Sequence, residues 1–303
     1  MILLSLVGEQ PIPNLLPLWQ STEYSATRFA ATRTTLPVAE ALMAAIRIDP
    51  QLQQLKVLDT LLLEAYDIQQ ARTQLASALA EYQVQSLPVC VNLTGGTKLM
   101  SLAALQAAFG TGVPLLYVTT EQNEIIHYRS DGSETGREPI KVCAGVYQYL
   151  RAHGLEASDN QNFDPNGPRS NIRPAKEGDA LEEEVYRRAL DSGLFDDVRR
   201  SVHIRKQSRR GPVVNELDVV VTRNGRMAVC SCKAGRQVTK ENLYELASLS
   251  QREVAGIYCG KVMASALSEL PTAIRDRAEA NRIHLVYGSE IANIADHLVL
   301  ATR

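Results

Sequence analysis

The sequence lacks most of what would tie a chain to a membrane, an oxidising compartment or a polyanion. No stretch of about 20 apolar residues occurs, so no transmembrane helix is expected. The apolar start, Met1–Val7, has no basic flank and no small-residue cleavage site, and is expected to be a strand rather than a signal peptide. The five cysteines, Cys90, Cys143, Cys230, Cys232 and Cys259, are scattered and contain no CxxC pair. They point to unpaired thiols in a reducing cytoplasm. Cys230 and Cys232 lie two apart in an apolar run and read as small core residues rather than a metal site. Net charge is only −2 and the pI is near 6.2, which excludes a global pull on nucleic acid and leaves only a local basic patch. No internal repeat or low-complexity tract occurs.

What is present suits a soluble chain of two domains: 303 residues, 45% hydrophobic and 22% charged. The first half alternates strand-like runs (Met1–Val7, Gln54–Leu58, Leu87–Leu93, Pro114–Thr119) with helical spacing over Val38–Ile48, Ile68–Tyr82 and Lys98–Phe109. That alternation implies an α/β fold with a mainly parallel sheet. Leu115–Thr119 and Glu124–Tyr128 read as a closing hairpin, and Ala144–Ala152 as a final helix of this domain. Residues 155–177 are polar and turn-rich and read as a linker between domains 1–154 and 178–303. In the second half a helix (Ala180–Ser192) precedes strands near Asp197–Lys206, Val213–Val221 and Met227–Lys233. A helix (Lys240–Leu249), a strand (Val254–Tyr258), a helix (Ala264–Ala280), a strand (Ile283–Val286) and a last helix (Ile291–Leu298) follow.

One candidate site is the turn Asn92-Leu93-Thr94-Gly95-Gly96-Thr97-Lys98, between a strand and a helix. Two glycines permit a tight turn and close approach of a ligand. Free N–H groups at the helix start favour phosphate. The spacing is neither a Walker A loop nor GxGxxG. A purely structural turn is the bland alternative. The exit of the first strand, Gly8–Asn14, would face the same crevice in a Rossmann-like sheet. A first strand with a short polar exit, and a later one ending in Asn-x-Thr-Gly-Gly-Thr-Lys, resembles the CARF domains of CRISPR-associated proteins. The resemblance implies a Rossmann-like homodimer that binds a cyclic oligoadenylate, cyclic tetra-adenylate being the first candidate. Gln10, Asn14, Thr94, Gly95, Gly96, Thr97 and Lys98 would contact it.

The second candidate is a hairpin. Asn224-Gly225 between two apolar runs signals a two-residue type I′ turn, which fixes the register. Val221 then faces Ala228, Val219 faces Cys230, and Leu217 faces Cys232, all on a core face. On the other face Asp218 opposes Ser231 and Glu216 opposes Lys233. Carboxylates beside a lysine are what metal-dependent phosphodiester cleavage uses, through Mg²⁺ or Mn²⁺. A Glu216–Lys233 salt bridge on a solvated face is the alternative.

The hairpin resembles the PD-(D/E)XK nuclease core. That implies a metal-dependent endonuclease with catalytic residues Glu182 (on the helix), Asp218, Ser231 and Lys233. Asp218 and Glu182 would be the metal ligands. Ser231 stands where the family carries an acid. Glu216 is then a candidate substitute, and a catalytically silent, ligand-binding pseudo-nuclease is the alternative. The helix and hairpin, with Leu243–Leu246 after them, are similar to the nuclease domain attached to CARF domains in cyclic-oligoadenylate-activated nucleases. Arg199, Arg200, Arg205, Lys206, Arg209 and Arg210 form the local patch expected to hold a nucleic-acid backbone. A solvated loop is the simpler alternative there. The five histidines show no ligand spacing. The expectation is a cytoplasmic, homodimeric antiviral effector of type III CRISPR defence. A winged-helix regulator and a Rossmann-type metabolic enzyme are its rivals.

Overall fold

The structure is a computed structural model that describes residues 1–160, 163, 179–208, 211–249, 256 and 258–303. Most of the expected linker and Arg209 and Arg210 lie outside the described residues, as does most of the strand expected at Val254–Tyr258. The chain forms two compact units, Met1–Val142 and Cys143–Arg303.

The first unit carries an eight-stranded sheet. β1 (Ile2–Leu6), β2 (Ala26–Ala31), β3 (Lys56–Val57), β4 (Leu61–Leu62), β5 (Val89–Asn92) and β6 (Leu115–Thr119) are parallel. β7 (Glu124–Tyr128) and β8 (Glu134–Pro139) add on antiparallel. The order is β3-β2-β1-β5-β6-β7-β8, with β4 also on β2. Chain direction across the sheet therefore reverses beside β1 and β5, whose carboxyl ends form the ligand crevice of such sheets. Four helices accompany it: α1 (Ile12–Gln20), α2 (Leu36–Ile48), α3 (Ile68–Val84) and α4 (Lys98–Ala108). Leu4, Leu6, Val89 and Val91 pack with Leu75 and Leu79 of α3 and with Met100 and Ala103 of α4, and removing this apolar surface from water is what holds the layer together.

Strands β2, β4 and β8 and helix α1 differ from the sequence reading. β2 was not anticipated, because Thr27 and Arg28 interrupt its apolar run. Thr27 is fully buried and donates its hydroxyl to the Leu3 carbonyl (3.1 Å). Helix α1 replaces part of the expected strand-exit loop, so Asn14 belongs to a helix. Pro13 is tolerated in the first turn, but Pro17 lies inside α1 and has no N–H to offer the Pro13 carbonyl one turn back. Asn92 at the end of β5 supplies the missing donor, its Nδ2 lying 3.0 Å from that carbonyl.

The second unit begins with α5 (Val146–Ala152) and β9 (Glu156–Ser158). The helix expected to end the first domain therefore sits in the second unit, and the division falls before residue 154. The Val146 N–H donates to Asp197 (3.0 Å) and the Thr222 hydroxyl to the Ala144 carbonyl (2.5 Å). Then come α6 (Asp179–Asp191), β10 (Asp197–Ser208), β11 (Gly211–Arg223), β12 (Arg226–Lys233), α7 (Lys240–Leu249), β13 (Gly260–Ser265), α8 (Thr272–Ala280), β14 (His284–Tyr287) and α9 (Ile294–Ala301). The sheet order is β14-β13-β12-β11-β10-β9. β9 to β12 run antiparallel, and β12 to β14 parallel.

Strand β13 corrects the reading of Ala264–Ala280 as one helix. Ala264 and Ser265 end a buried strand between β12 and β14, and the helix starts only at Thr272, after Pro271. Gly260 opens β13 where a Cβ would stand 2.1 Å from the Ala301 carbonyl oxygen, so the strand needs a glycine there.

Candidate active site and ligand-binding turn

In the first unit the two strand exits do meet. A Cβ on Gly95 would fall 2.0 Å from the Leu6 carbonyl oxygen, and one on Gly8 3.0 Å from Gly96 N. The glycine turn therefore lies directly against the end of β1, and Gly96 takes a left-handed φ of 76°. Asn92, fully buried, organises the turn. Its Nδ2 holds α1, while its Oδ1 accepts from the Thr94 N–H (3.0 Å) and hydroxyl (2.6 Å). The Thr94 hydroxyl also accepts from Val118 N–H of β6 (2.7 Å). Thr97 is the N-cap of α4, accepting from Met100 N–H (3.2 Å) and donating to the Ala65 carbonyl (2.9 Å). The two threonine hydroxyls, expected as ligand donors, are thus engaged in the framework. The turn's backbone is half-exposed and Lys98 is exposed. Gln10 is half-buried. Asn14 is fully buried and, among the described residues, neither end of its carboxamide has a hydrogen-bond partner.

In the second unit the hairpin has, from the turn as far as Val219–Cys230, the register the Asn-Gly turn predicts. Val219 pairs with Cys230, Val220 with Val229 and Val221 with Ala228. Asn224 (φ 51°) and Gly225 (φ 74°) both adopt the left-handed conformation of a type I′ turn. Val219, Val221, Ala228 and Cys230 join Leu181, Val185 and Ala189 of α6 in one core, against which Cys232 packs. That packing sets the rotation of α6. Of its three consecutive glutamates, Glu183 and Glu184 pair outward with Arg187 (2.6 Å) and Arg188 (2.9 Å), and Glu183 also pairs with Arg200. Glu182 turns inward, and its Oε1 accepts the Ser201 hydroxyl at 2.7 Å.

Asp218 lies opposite this group. Its Oδ2 accepts from Cys232 N–H (2.7 Å) and from the Ser231 hydroxyl (3.2 Å). Burial raises its pKa, against the lowering effect of the Cys232 N–H and of nearby Lys233. Burial likewise pushes Glu182 up to about 7. The charges of Asp218 and Glu216 add to the rise, and the Ser201 hydroxyl opposes it. Two neighbouring acids that resist ionising, chiefly through burial, mark a place where a cation would be welcome.

Three expected pairings, Leu217–Cys232, Asp218–Ser231 and Glu216–Lys233, lie outside the ladder, although the Ser231 hydroxyl still reaches Asp218. The β11–β12 ladder stops at Val219–Cys230, so Glu216 does not sit opposite Lys233. Glu216 pairs in register with His203 of β10, 4.0 Å from its ring nitrogen, and Lys233 turns instead to Glu245 of α7 (3.8 Å). Ser201 and Glu245 are therefore members of the site that residue spacing did not flag. Glu245 lies in the segment that resembles the family, but Ser201 carried no signal.

Among the described residues of the basic patch, three arginines are engaged in ion pairs. Arg199 pairs with Asp197 (2.8 Å), Arg200 with Glu183 and Arg205 with Glu156. Each also lies over an aromatic ring, Tyr147, Tyr186 and Phe163 respectively.

Among the described residues no three His, Cys, Asp or Glu side chains gather into a metal cage. The donor set is two carboxylates beside an amine and a hydroxyl. That excludes a closed zinc-type centre and fits a hard cation such as Mg²⁺, which keeps several waters and takes one or two carboxylates.

Fold and sites together define a two-domain α/β protein, a Rossmann-like unit followed by a restriction-endonuclease-like unit. The family comparison makes this specific: residues 2–143 match the model of the Card1 CARF domain and residues 171–302 that of the Card1-like endonuclease domain. The chain belongs to that family of CARF endonucleases. Among solved structures it is similar to protein VC1899 from Vibrio cholerae (TM-score 0.81, 14% identity, 99% of this chain and 97% of that one). It is also similar to Can2 from Sulfobacillus thermosulfidooxidans in complex with cyclic tetra-adenylate (TM-score 0.77, 19% identity, 100% and 99%). A type III CRISPR defence DNA nuclease activated by cyclic oligoadenylate matches with a TM-score of 0.60 and 20% identity over 95% of this chain, which spans 48% of that one. No curated protein matches the chain. Among the described residues no helix is long and apolar enough to cross a membrane.

Proposed function

We propose that this chain is a nuclease of type III CRISPR defence that is switched on by a cyclic oligoadenylate, with cyclic tetra-adenylate as the activator and Mg²⁺ or Mn²⁺ as the metal. The ring would dock as a homodimer-shared ligand on the half-exposed backbone from Thr94 to Lys98, with Gln10 on the facing exit. A twofold-symmetric ring suits two identical subunits. Lys98 and the first N–H groups of α4 supply positive potential for its phosphates.

The observation that carries the nuclease reading is the convergence of Glu182, Asp218 and Lys233 beside the hairpin. Glu182 and Asp218 would hold the metal, which when bound polarises a phosphate and lowers the pKa of a water. Asp218 is fixed through one oxygen by Ser231 and the Cys232 N–H, leaving its other oxygen for the cation. Lys233, in a half-buried position, would orient the attacking water or neutralise charge on the phosphate. Glu216, whose charge reaches Glu182, raises the local negative potential. Ser231 acts here as a hydrogen-bond donor to Asp218 rather than as an acidic ligand.

The test incubates the full chain with cyclic tetra-adenylate, Mn²⁺ and labelled single- and double-stranded DNA and RNA. Cleavage that needs both ligand and metal, and that Asp218→Asn lowers more than ~100-fold, is expected, because losing even an outer partner of a metal ligand costs roughly 10–100-fold. Ser231→Glu is expected to tighten Mn²⁺ binding by restoring an anionic donor. No cleavage by the wild type, with activity gained in Ser231→Glu, would replace this reading by the pseudo-nuclease.

A further inference from the structure

Strand β10 departs from strand geometry at one described residue. Ser201 has φ 50°, a conformation that a residue with a Cβ adopts only at a cost. The β10–β11 ladder pairs Arg200 with Val219 and Val202 with Leu217, and leaves out Ser201 and Asp218 between them. A regular strand would have continued the pairing there. Instead the Ser201 hydroxyl reaches Glu182 Oε1 at 2.7 Å. Among the described residues this is the only hydrogen bond to the Glu182 carboxylate, whereas Asp218 is held by two.

Glycine and asparagine are the usual occupants of such a backbone, and serine is not. Strain of this kind persists where the surroundings enforce it, and it gathers at functional sites. We propose that Ser201 is a positioning residue of the nuclease site. By leaving the ladder it fixes the Glu182 carboxylate at the level where β11 presents Asp218, so that both acids meet one cation. This rests on the nuclease reading above.

Two substitutions in the full chain separate the hydroxyl from the backbone strain. Ser201→Gly removes the hydroxyl and relieves the strain. Its melting temperature should hold or rise by about 2–4 °C, while the Mn²⁺ dissociation constant, read by electron paramagnetic resonance of free Mn²⁺, rises about 10-fold. Ser201→Thr keeps the hydroxyl but adds a β-branch at positive φ. Its melting temperature should fall while Mn²⁺ affinity stays at the wild-type level. Unchanged Mn²⁺ affinity in Ser201→Gly, with the wild type binding normally, overturns the positioning role alone. A wild type that binds no Mn²⁺ overturns the nuclease reading and this inference with it.

Discussion

In the glycine turn of the first unit, the polar side chains are committed before any ligand arrives. Asn92 bridges α1 and Thr94, Thr94 reaches β6, and Thr97 caps α4. What remains to meet a ligand is mostly backbone and one exposed lysine. In the hairpin of the second unit the arrangement is reversed. Glu182 and Asp218 are half-buried acids with raised pKa values, drawn together where the β-ladder opens. The first site is satisfied and shaped, as a recognition surface should be. The second is electrostatically frustrated, as the proposed catalytic centre would be before a cation binds.

The widest difference should come from Gly95→Ala. Its Cβ would collide with the Leu6 carbonyl, so the turn must move off β1. Cyclic tetra-adenylate binding, measured by calorimetry, should fall at least ~10-fold, with a stability loss of about 1–3 kcal/mol from overpacking. Mn²⁺ binding at the hairpin should be unchanged. A variant that still binds the ring normally would remove the glycine turn from the recognition surface. Asn92→Ala should come next. It strands the buried Pro13 carbonyl and frees Thr94, at about 1–3 kcal/mol for the unsatisfied group, read as a lower urea midpoint. A loss below a few tenths of a kcal/mol would mean that water replaces Asn92 and that the turn is not locked as argued.

The hairpin was legible because Asn224-Gly225 dictates register by itself, and apolar alternation then sorts the faces. The glycine turn was legible for a similar local reason. What stayed hidden depends on partners distant in sequence. Helix α1 was masked by Pro17, whose defect is repaired by Asn92 from another element. β2 was masked by Thr27 and Arg28, and Thr27 is buried only because Leu3 accepts its hydroxyl. β13 was misread because Ala264 and Ser265 suit a helix as well as a strand, and only Gly260 against Ala301 reveals why the strand runs there. The Glu216–Lys233 pairing failed because extrapolating the register assumes an unbroken ladder, and the ladder breaks where the acids lie. Ser201 could not be foreseen, since no residue preference signals a left-handed serine within a strand.

The contrast between the two sites can be sharpened by pH. Glu182 is raised from 4.5 to about 7, first by burial and then by the charges of Asp218 and Glu216. The folded chain therefore binds this proton more tightly than the unfolded one. Its contribution to stability is fully present below about pH 4.5 and is lost as pH rises through about 7. Glu182→Gln removes the liability. In metal-free buffer the variant should gain in melting temperature over the wild type at pH 8, with little or no gain at pH 5. Mn²⁺ should close the gap at pH 8 by stabilising only the wild-type carboxylate, and wild-type cleavage should climb between pH 6 and pH 8 as Glu182 ionises. No comparable pH dependence should follow from Asn92→Ala, whose partners do not titrate. A Glu182→Gln advantage equal at both pH values would mean that the carboxylate is not held in the frustrated state the hairpin geometry implies.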